Sequence, residues 1–329
     1  ERGLMMKEYY IGLDLGGTKI LTGLADSEGK IITRSRRDTE ADLGEDKIIK
    51  NMIATINDVL NKAGVSRSEV RTLGIGSPGP LDSKKGIIIE NANLPWKNVQ
   101  LVEKMESALG INTLLQNDAN AAALGEKWFG AGKTVDNMVY ITISTGIGGG
   151  AIINKELFTG VNDNACEIGH TVIDPNGPLC GCGNHGCLEA FSSGTSIGKR
   201  AREAAAAGKS KEMLDLADNI IEDIDAVICA QAAYQGDQAA KDIFDNAGYH
   251  LGIGLGNVIN TFNTEMIILG GGVMKASDLF LDTAIKTMED IALSGPLEMV
   301  TVKEAELGSD IGLIGAVAVA MEDRLVKND

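Results

Sequence analysis

The sequence predicts an α/β protein of two domains, and three observations predict it. A chain of 329 residues is long enough to bury two ordinary cores. A strand, a glycine turn and a second strand occur near the start, in YYIGLDLGGTKILTGLAD, and again in the second half, in NMVYITISTGIGGGAIINKELF. Stretches with apolar residues at helical spacing, or rich in alanine, lie between and after these units.

The elements can be justified in order. EYYIGLDLG (8–16) is a short apolar run ending in glycines, and TKILTGLAD (18–26) alternates like a half-buried strand. SEGK (27–30) is a turn before a third strand, KIITRSRR (30–37). Ile48, Ile49, Met52, Ile53, Ile56, Val59 and Leu60 then recur at helical spacing. RTLGIGSPGPLD (71–82) is a buried strand running into a Gly/Pro loop, and INTLL (111–115) is an apolar strand that meets a helix at NDAN. In the second half TEMIILGGGV (264–273) is another apolar strand meeting three glycines, and the alanine-rich segments 200–207 and 237–260 read as helices. DIGLIGAVAVAMEDRL (310–325) reads as a closing helix with Asp310 as its N-cap. No low-complexity linker separates the halves, so the domains are expected to share a cleft.

Hydrophobic content of 44% and 41 glycines describe a globular chain with many tight turns. A net charge of −16 argues against a nucleic-acid partner, because that affinity comes from Lys and Arg. Local backbone amides can still hold a small anion. No secretory signal and no apolar run long enough to span a membrane are evident, so no membrane partner is expected. The opening ERGLM reads as an appendage before a start at Met5 or Met6. Five cysteines without a signal peptide point to a cytoplasmic protein with reduced thiols.

DLGGTK (14–19) follows a strand but matches neither GxGxxG nor the Walker pattern. Gly16 and Gly17 let backbone amides approach a ligand, Thr18 offers a hydroxyl, Lys19 a charge, and Asp14 could hold a hydrated magnesium ion. The same residues suit a glycine hairpin with a solvated lysine. STGIGGG (144–150) is a second loop of this kind, with Thr145 and Gly146 at its turn, so a phosphate chain could be gripped from both sides. LGGGV (269–273), with Gly270 and Gly271, suits close approach to a nucleotide base or a turn into a helix.

Cys180, Cys182 and Cys187 form C-x-C-x4-C, with His170 ten residues earlier. Three thiolates and one imidazole complete a tetrahedral structural Zn2+ site and leave no open position. Gly181, Gly183 and Gly186 permit the turns of so short a loop. His185 could compete as a ligand, or be an exposed loop histidine. Cys166 and Cys229 read as small buried hydrophobes, and His250, inside a long helix, as packed or solvated. Asp118 stands at the junction of INTLL with the following helix, where α/β proteins bind ligands, or where an aspartate caps a helix.

Six motifs in this order, DLGGTK, GIGSPGPLD, QNDANAAALGE, STGIGGG, EIGH and CGCGNHGCLE, resemble the ROK family (repressor, open reading frame, kinase) of the actin-like sugar kinase superfamily, over nearly the whole chain. The resemblance implies two actin-like (ribonuclease H-like) domains with mixed five-stranded sheets around a central cleft. It implies a first domain of 1–117 plus 310–329, to which the last helix returns, and a second of 118–309 with the zinc knuckle and nucleotide contacts.

The activity implied is ATP- and Mg2+-dependent phosphorylation of a hexose 6-hydroxyl, glucose first, with fructose, N-acetylmannosamine and N-acetylglucosamine as alternatives. Asp118 is then the catalytic base, with Gly79, Asn93, Asn117, Glu167, His170 and Glu189 around the sugar. Bottom-up, a hydroxyl acceptor needs such a carboxylate in line with the γ-phosphate, and one helical turn would bring Glu167 and His170 to one face. The cysteine spacing fits the family's own knuckle, and the position of His185 varies there. Relatives that are DNA-binding repressors carry a winged helix before the first strand; here that strand begins near Tyr9, so a kinase is expected, as a homodimer or homotetramer. A regulator that only senses sugar is the remaining alternative.

Overall fold

The computed structural model describes residues 8–91 and 93–328. The expected start at Met5 or Met6 lies outside the described residues. In chain order β1 (Tyr9–Leu15), β2 (Lys19–Ala25), β3 (Ile31–Asp38), α1 (Glu45–Ala63) and β4 (Val70–Ser77) come first. The short strands β5 (Leu81–Asp82), β6 (Ile87–Glu90) and β7 (Lys97–Val99), α2 (Leu101–Leu109), β8 (Thr113–Asn117) and α3 (Asp118–Phe129) follow. Then come β9 (Met138–Ile143), β10 (Ile147–Ile153), β11 (Glu156–Phe158), α4 (Glu189–Ser192), α5 (Gly194–Ala206), α6 (Lys211–Leu216), α7 (Ala226–Tyr234) and α8 (Gln238–Phe262). The chain ends with β12 (Met266–Gly270), α9 (Leu281–Ile291), α10 (Ser294–Leu297), β13 (Thr301–Glu304) and α11 (Ile311–Asn328).

Two sheets of five strands have the orders β3-β2-β1-β4-β8 and β11-β10-β9-β12-β13, so the strand–turn–strand repeat read from the sequence extends to whole sheets. In the first, β1 pairs antiparallel with β2 and parallel with β4. A small antiparallel sheet of β5, β6 and β7 was not expected.

The chain forms two compact units. One holds everything up to Asn137, then Gly150–Ala165 and the chain from Ala305 on; the other holds Met138–Gly149 and Cys166–Glu304. The division differs from the expected one, most clearly at α3. Glu126, fully buried on that helix, accepts the amide of Ala131 at 2.8 Å and that of Leu307 at 3.0 Å. The Leu307 bond ties α3 to the segment leading into α11, and α3 packs on α11 itself, so residues 118–137 fall in the first unit.

Strand alternation explains the packing of the first unit. Ile11, Leu13 and Leu15 of β1 join Ile48, Met52, Ile56 and Val59 of α1 in one core cluster. The opposite face presents Tyr10, which clusters with Val317, Ala320 and Met321 of α11. In register with one another, Gly23, Gly12 and Gly74 cross β2, β1 and β4 as a groove. A Cβ on Gly74 would stand 2.1 Å from the Ala316 carbonyl, and one on Gly12 would stand 2.6 Å from Val317. The closing helix returns because the sheet has no side chains there to hold it off. Asp310 precedes α11 as expected, but its carboxylate meets Arg34 through two bonds of 2.8 Å.

In the second unit α8 packs along α9 by a stripe of Gly248, Gly252 and Gly256, each without room for a Cβ against Phe280, Ala284 or Ile291. Among the described residues no helix is long and apolar enough to cross a membrane.

Candidate active site

In the first unit β4 and β8 run parallel, with Ser77 paired to Asn117 at their carboxyl ends. Asn117 is the N-cap of α3: its side-chain oxygen accepts the amides of Ala119 at 2.9 Å and Asn120 at 3.4 Å. Its own amide donates to the Gln116 side-chain oxygen at 2.8 Å, which also accepts from Asn120 Nδ2 at 3.1 Å. The capping alternative for Asp118 is therefore filled by its neighbour. Asp118 opens the helix, accepts the Ala119 amide at 2.8 Å and keeps an exposed face. The protein around its carboxyl desolvates it and raises its pKa, against the lowering by its own and the Ala119 amide.

Gly79 lies beside this cap, where a Cβ would come 3.4 Å from Asn117 Nδ2. Asn93 lies against the first glycine loop: a Cβ on Gly17 would meet the Asn93 Cβ at 2.6 Å. The loop itself is the turn of the β1–β2 hairpin. The Gly16 amide donates to the Lys19 carbonyl at 3.0 Å, and Thr39 Oγ1 donates to the Gly16 carbonyl at 2.7 Å. Thr18 and Lys19 are exposed. Asp14 ends against the first turn of α11, where a Cβ on Gly312 would stand 2.5 Å from Asp14 Oδ2. Burial pushes the Asp14 carboxyl up to about 6, Asp118 adds to the rise, and Lys19 opposes it. The hairpin reading and the ligand reading of DLGGTK thus describe the same backbone. A partly desolvated carboxylate with a second one nearby is a donor set that suits a hydrated Mg2+.

In the second unit Thr145 and Gly146 form the turn between β9 and β10, closed by the Ser144 amide on the Gly146 carbonyl at 2.8 Å. The start of α5 seats this turn: the Gly194 amide donates to Ser144 at 2.7 Å and Thr195 Oγ1 to Thr145 at 2.8 Å. A cavity of about 640 Å³ opens beside it, lined by Thr145, Thr195, Gly198, Gln231, Gly272 and Val273 among others. Gly270 is buried beneath Tyr140, and Gly271, at φ 96°, backs onto the Ile143 carbonyl. Both shape the turn, and their successors Gly272 and Val273 line the cavity. The α5 and α7 walls, Gly198 and Gln231 included, went unread in the sequence. Their glycines, alanines and N-cap Asp225 carry no signal beyond helix.

The knuckle gathers His170, Cys180, Cys182 and Cys187, with one donor atom from each, all within 4.8 Å of one another. Cys182 and Cys187 sulfurs are 3.6 Å apart, and Cys180 Sγ is 3.7 Å from His170 Nδ1. A tetrahedron of sulfurs about 2.3 Å from a central ion has edges of about 3.8 Å. The donor set therefore fits zinc. Burial raises the Cys180 thiol and pushes that of Cys187 up to about 12, while the Asn184 amide lowers Cys182. Gly183 and Gly186 take left-handed φ of 94° and 72°; Gly181 does not.

His185 is exposed and bonds the Gly177 carbonyl at 3.1 Å, outside the cluster. Glu167 precedes the single 3-10 turn Ile168–His170, and the His170 amide donates to the Glu167 carbonyl at 3.0 Å. Glu189, two residues after Cys187, accepts the Ile147 amide at 2.9 Å. Cys229 is buried as expected; Cys166, expected buried, is only half-buried, at a left-handed φ of 64°. His250 stacks on Phe191 with ring centroids 3.8 Å apart.

Repeated five-stranded sheets, each with a glycine turn after its central strand, and a carboxylate at a strand–helix junction define an actin-like α/β protein. Residues 10–323 match the profile of the ROK family. The chain belongs to that family. The glucokinase of Thermotoga maritima is 37% identical over 319 residues, 97% of this chain and 99% of its own. A solved ROK family glucokinase from Streptomyces griseus, in complex with glucose and AMPPNP, superposes with a TM-score of 0.79 at 34% identity, over 95% of this chain and 99% of that one. The xylose repressor of Bacillus subtilis is 33% identical over 84% of this chain and 67% of its own length.

Proposed function

We propose that the protein is an ATP-dependent hexokinase that transfers the γ-phosphoryl group to the 6-hydroxyl of glucose. The observation that carries this reading is Asp118: a carboxylate of raised proton affinity, with an exposed face, held at the end of β8 by the Asn117 cap. The kinase relatives cover nearly the whole chain, and the charge of −16 disfavours DNA as a partner.

In this reading Asp118 takes the proton of the attacking hydroxyl as the bond to phosphorus forms. Gly79, Asn93, Asn117, Glu167, His170 and Glu189 hold and orient the sugar; the carboxylates accept from hydroxyls, and Asn117 can donate or accept. The turns at Gly16–Lys19 and Thr145–Gly146 offer amides to phosphate oxygens, and Lys19 adds a fixed charge. The cavity lined by Gly198, Gln231 and Gly272 takes the nucleoside. Asp14 would hold Mg2+ through its water shell; when bound, that ion neutralises charge on the phosphates. His170, Cys180, Cys182 and Cys187 would hold Zn2+, which when bound supplies a closed structural anchor. The thiols of that set must be reduced, in keeping with a place in the cytoplasm.

ADP release measured across glucose, fructose, mannose, N-acetylmannosamine and N-acetylglucosamine tests the reading. The expected outcome is turnover with glucose at the highest kcat/KM; no ADP release with any hexose would sink it.

A further inference from the structure

We infer that Glu189 is also a positioning residue for the second phosphate-binding turn, so that one carboxylate links sugar binding to nucleotide binding. The inference rests on the kinase reading above and adds to Glu189 a role that the sugar does not require.

The geometry is confined to a few atoms. Glu189 Oε2 accepts the amide of Ile147 at 2.9 Å, and Ile147 directly follows the turn formed by Thr145 and Gly146. Gly146 packs on the same oxygen so closely that a Cβ there would stand 2.4 Å from it. The start of α5 holds the other side of the turn, at Ser144 and Thr145. Residue 189 is itself fixed from that helix, since Ser196 Oγ donates to its carbonyl at 2.8 Å. A hollow of about 340 Å³ has Gly146, Cys180 and Glu189 in its wall, and shares Thr145 and Thr195 with the larger nucleotide cavity.

The physical consequence follows from what each carboxylate oxygen does. A charge-assisted bond to a backbone amide is stronger than a neutral one and fixes the turn's orientation. Oε2 is committed to Ile147, and Oε1 meets only the Cys180 thiol, at 3.8 Å, a weak bond that a sugar hydroxyl can replace. Sugar binding then restrains the same carboxylate that restrains the turn, and a nucleotide held by the turn restrains the carboxylate in return. Linkage of this kind must be reciprocal in binding free energy.

Binding of Mg2+–AMPPNP in the absence of any sugar separates this role from sugar recognition. Glu189→Ala should weaken AMPPNP about tenfold by calorimetry, the size expected for losing a charged hydrogen bond. Glu189→Gln should stay within about threefold of wild type, because an amide oxygen still accepts from Ile147. Gly146→Ala provides the reciprocal measurement: its methyl must displace the carboxylate, so glucose binding without nucleotide should weaken by a similar factor. Zinc content and melting temperature identify a variant that has failed to fold, and the other two then carry the test. AMPPNP affinity unchanged in Glu189→Ala, or glucose affinity unchanged in Gly146→Ala, overturns the linkage while leaving the kinase reading intact. Wild-type protein that binds no AMPPNP would overturn both.

Discussion

Asp14 and Asp118 are placed so that the negative charge of one raises the proton affinity of the other, although one ends the central strand of its sheet and the other begins a helix. For Asp14 burial is the larger cause and the charge of Asp118 the second. Without a cation the Asp14 carboxyl therefore carries an uncompensated buried charge above about pH 6, which a bound cation would offset.

The first prediction concerns stability against pH. The Asp14 carboxyl titrates at about 6 in the fold, against an ordinary 3.8. A group that binds its proton more tightly when folded contributes stability below 3.8, and that contribution is lost as pH rises through about 6. Asp14→Asn removes the buried charge, so above pH 6 the magnesium-free variant should be more stable by on the order of 1–2 kcal/mol. Thermal melts without Mg2+ should show that gap closing below about pH 4. A constant gap across the range would remove Asp14 as its source.

For catalysis, Asp118→Asn keeps shape and hydrogen bonding but cannot take a proton. Turnover should fall about 10²- to 10⁴-fold while glucose and AMPPNP still bind. Retention of wild-type kcat would transfer the role of base to another residue.

Zinc can be tested apart from turnover. Cys182→Ser removes an exposed ligand, so elemental analysis should show bound zinc well below the wild-type level, with a lower melting temperature. Sugar KM should rise sharply. ATP KM should rise too, by a smaller factor, because Glu189 leaves the knuckle and meets the Gly146 turn. A metal-free protein of ordinary sugar affinity would remove the anchor from the scheme.

The first glycine loop offers a contrast between neighbours. A valine at Gly17 meets Asn93 as well as any ligand, so Gly17→Val should raise KM for glucose together with that for ATP. Gly16 faces only the Lys19 carbonyl, at 3.1 Å, and Gly16→Ala should act on ATP alone. Initial rates with each substrate varied at saturating levels of the other distinguish the two patterns.

Packing of the closing helix can be probed at Gly74. A methyl there collides with the Ala316 carbonyl, and overpacking against backbone cannot be relieved by a rotamer change. Gly74→Ala should cost about 3 kcal/mol, read as a lower denaturation midpoint. An unchanged midpoint would mean that α11 can lift from the sheet without loss.

Some of this chemistry was legible in the sequence because its residues are neighbours along the chain. Three cysteines within eight residues, Asp118 beside Asn117 at a strand–helix junction, and a strand–glycine turn–strand unit present twice all declare themselves by spacing. Local geometry follows from such spacing, since a short chain segment has few conformations to choose from. Long-range placement does not. Glu126 joins α3 to the segment before α11 through the Leu307 amide, and α3 packs on α11, against the boundary expected just before that helix. Gly12, Gly23 and Gly74 form a groove only once three strands are in register. The cavity beside Thr145 combines that turn and the glycines after β12, both marked in the sequence, with walls from α5 and α7 that carry no unusual residue. Glu189 reaches the Ile147 amide across forty-two positions of sequence. The motifs determined which chemical groups are available, and tertiary packing decided which oxygen meets which amide, because a hydrogen bond depends on distances of a fraction of an ångström that spacing along a chain does not record.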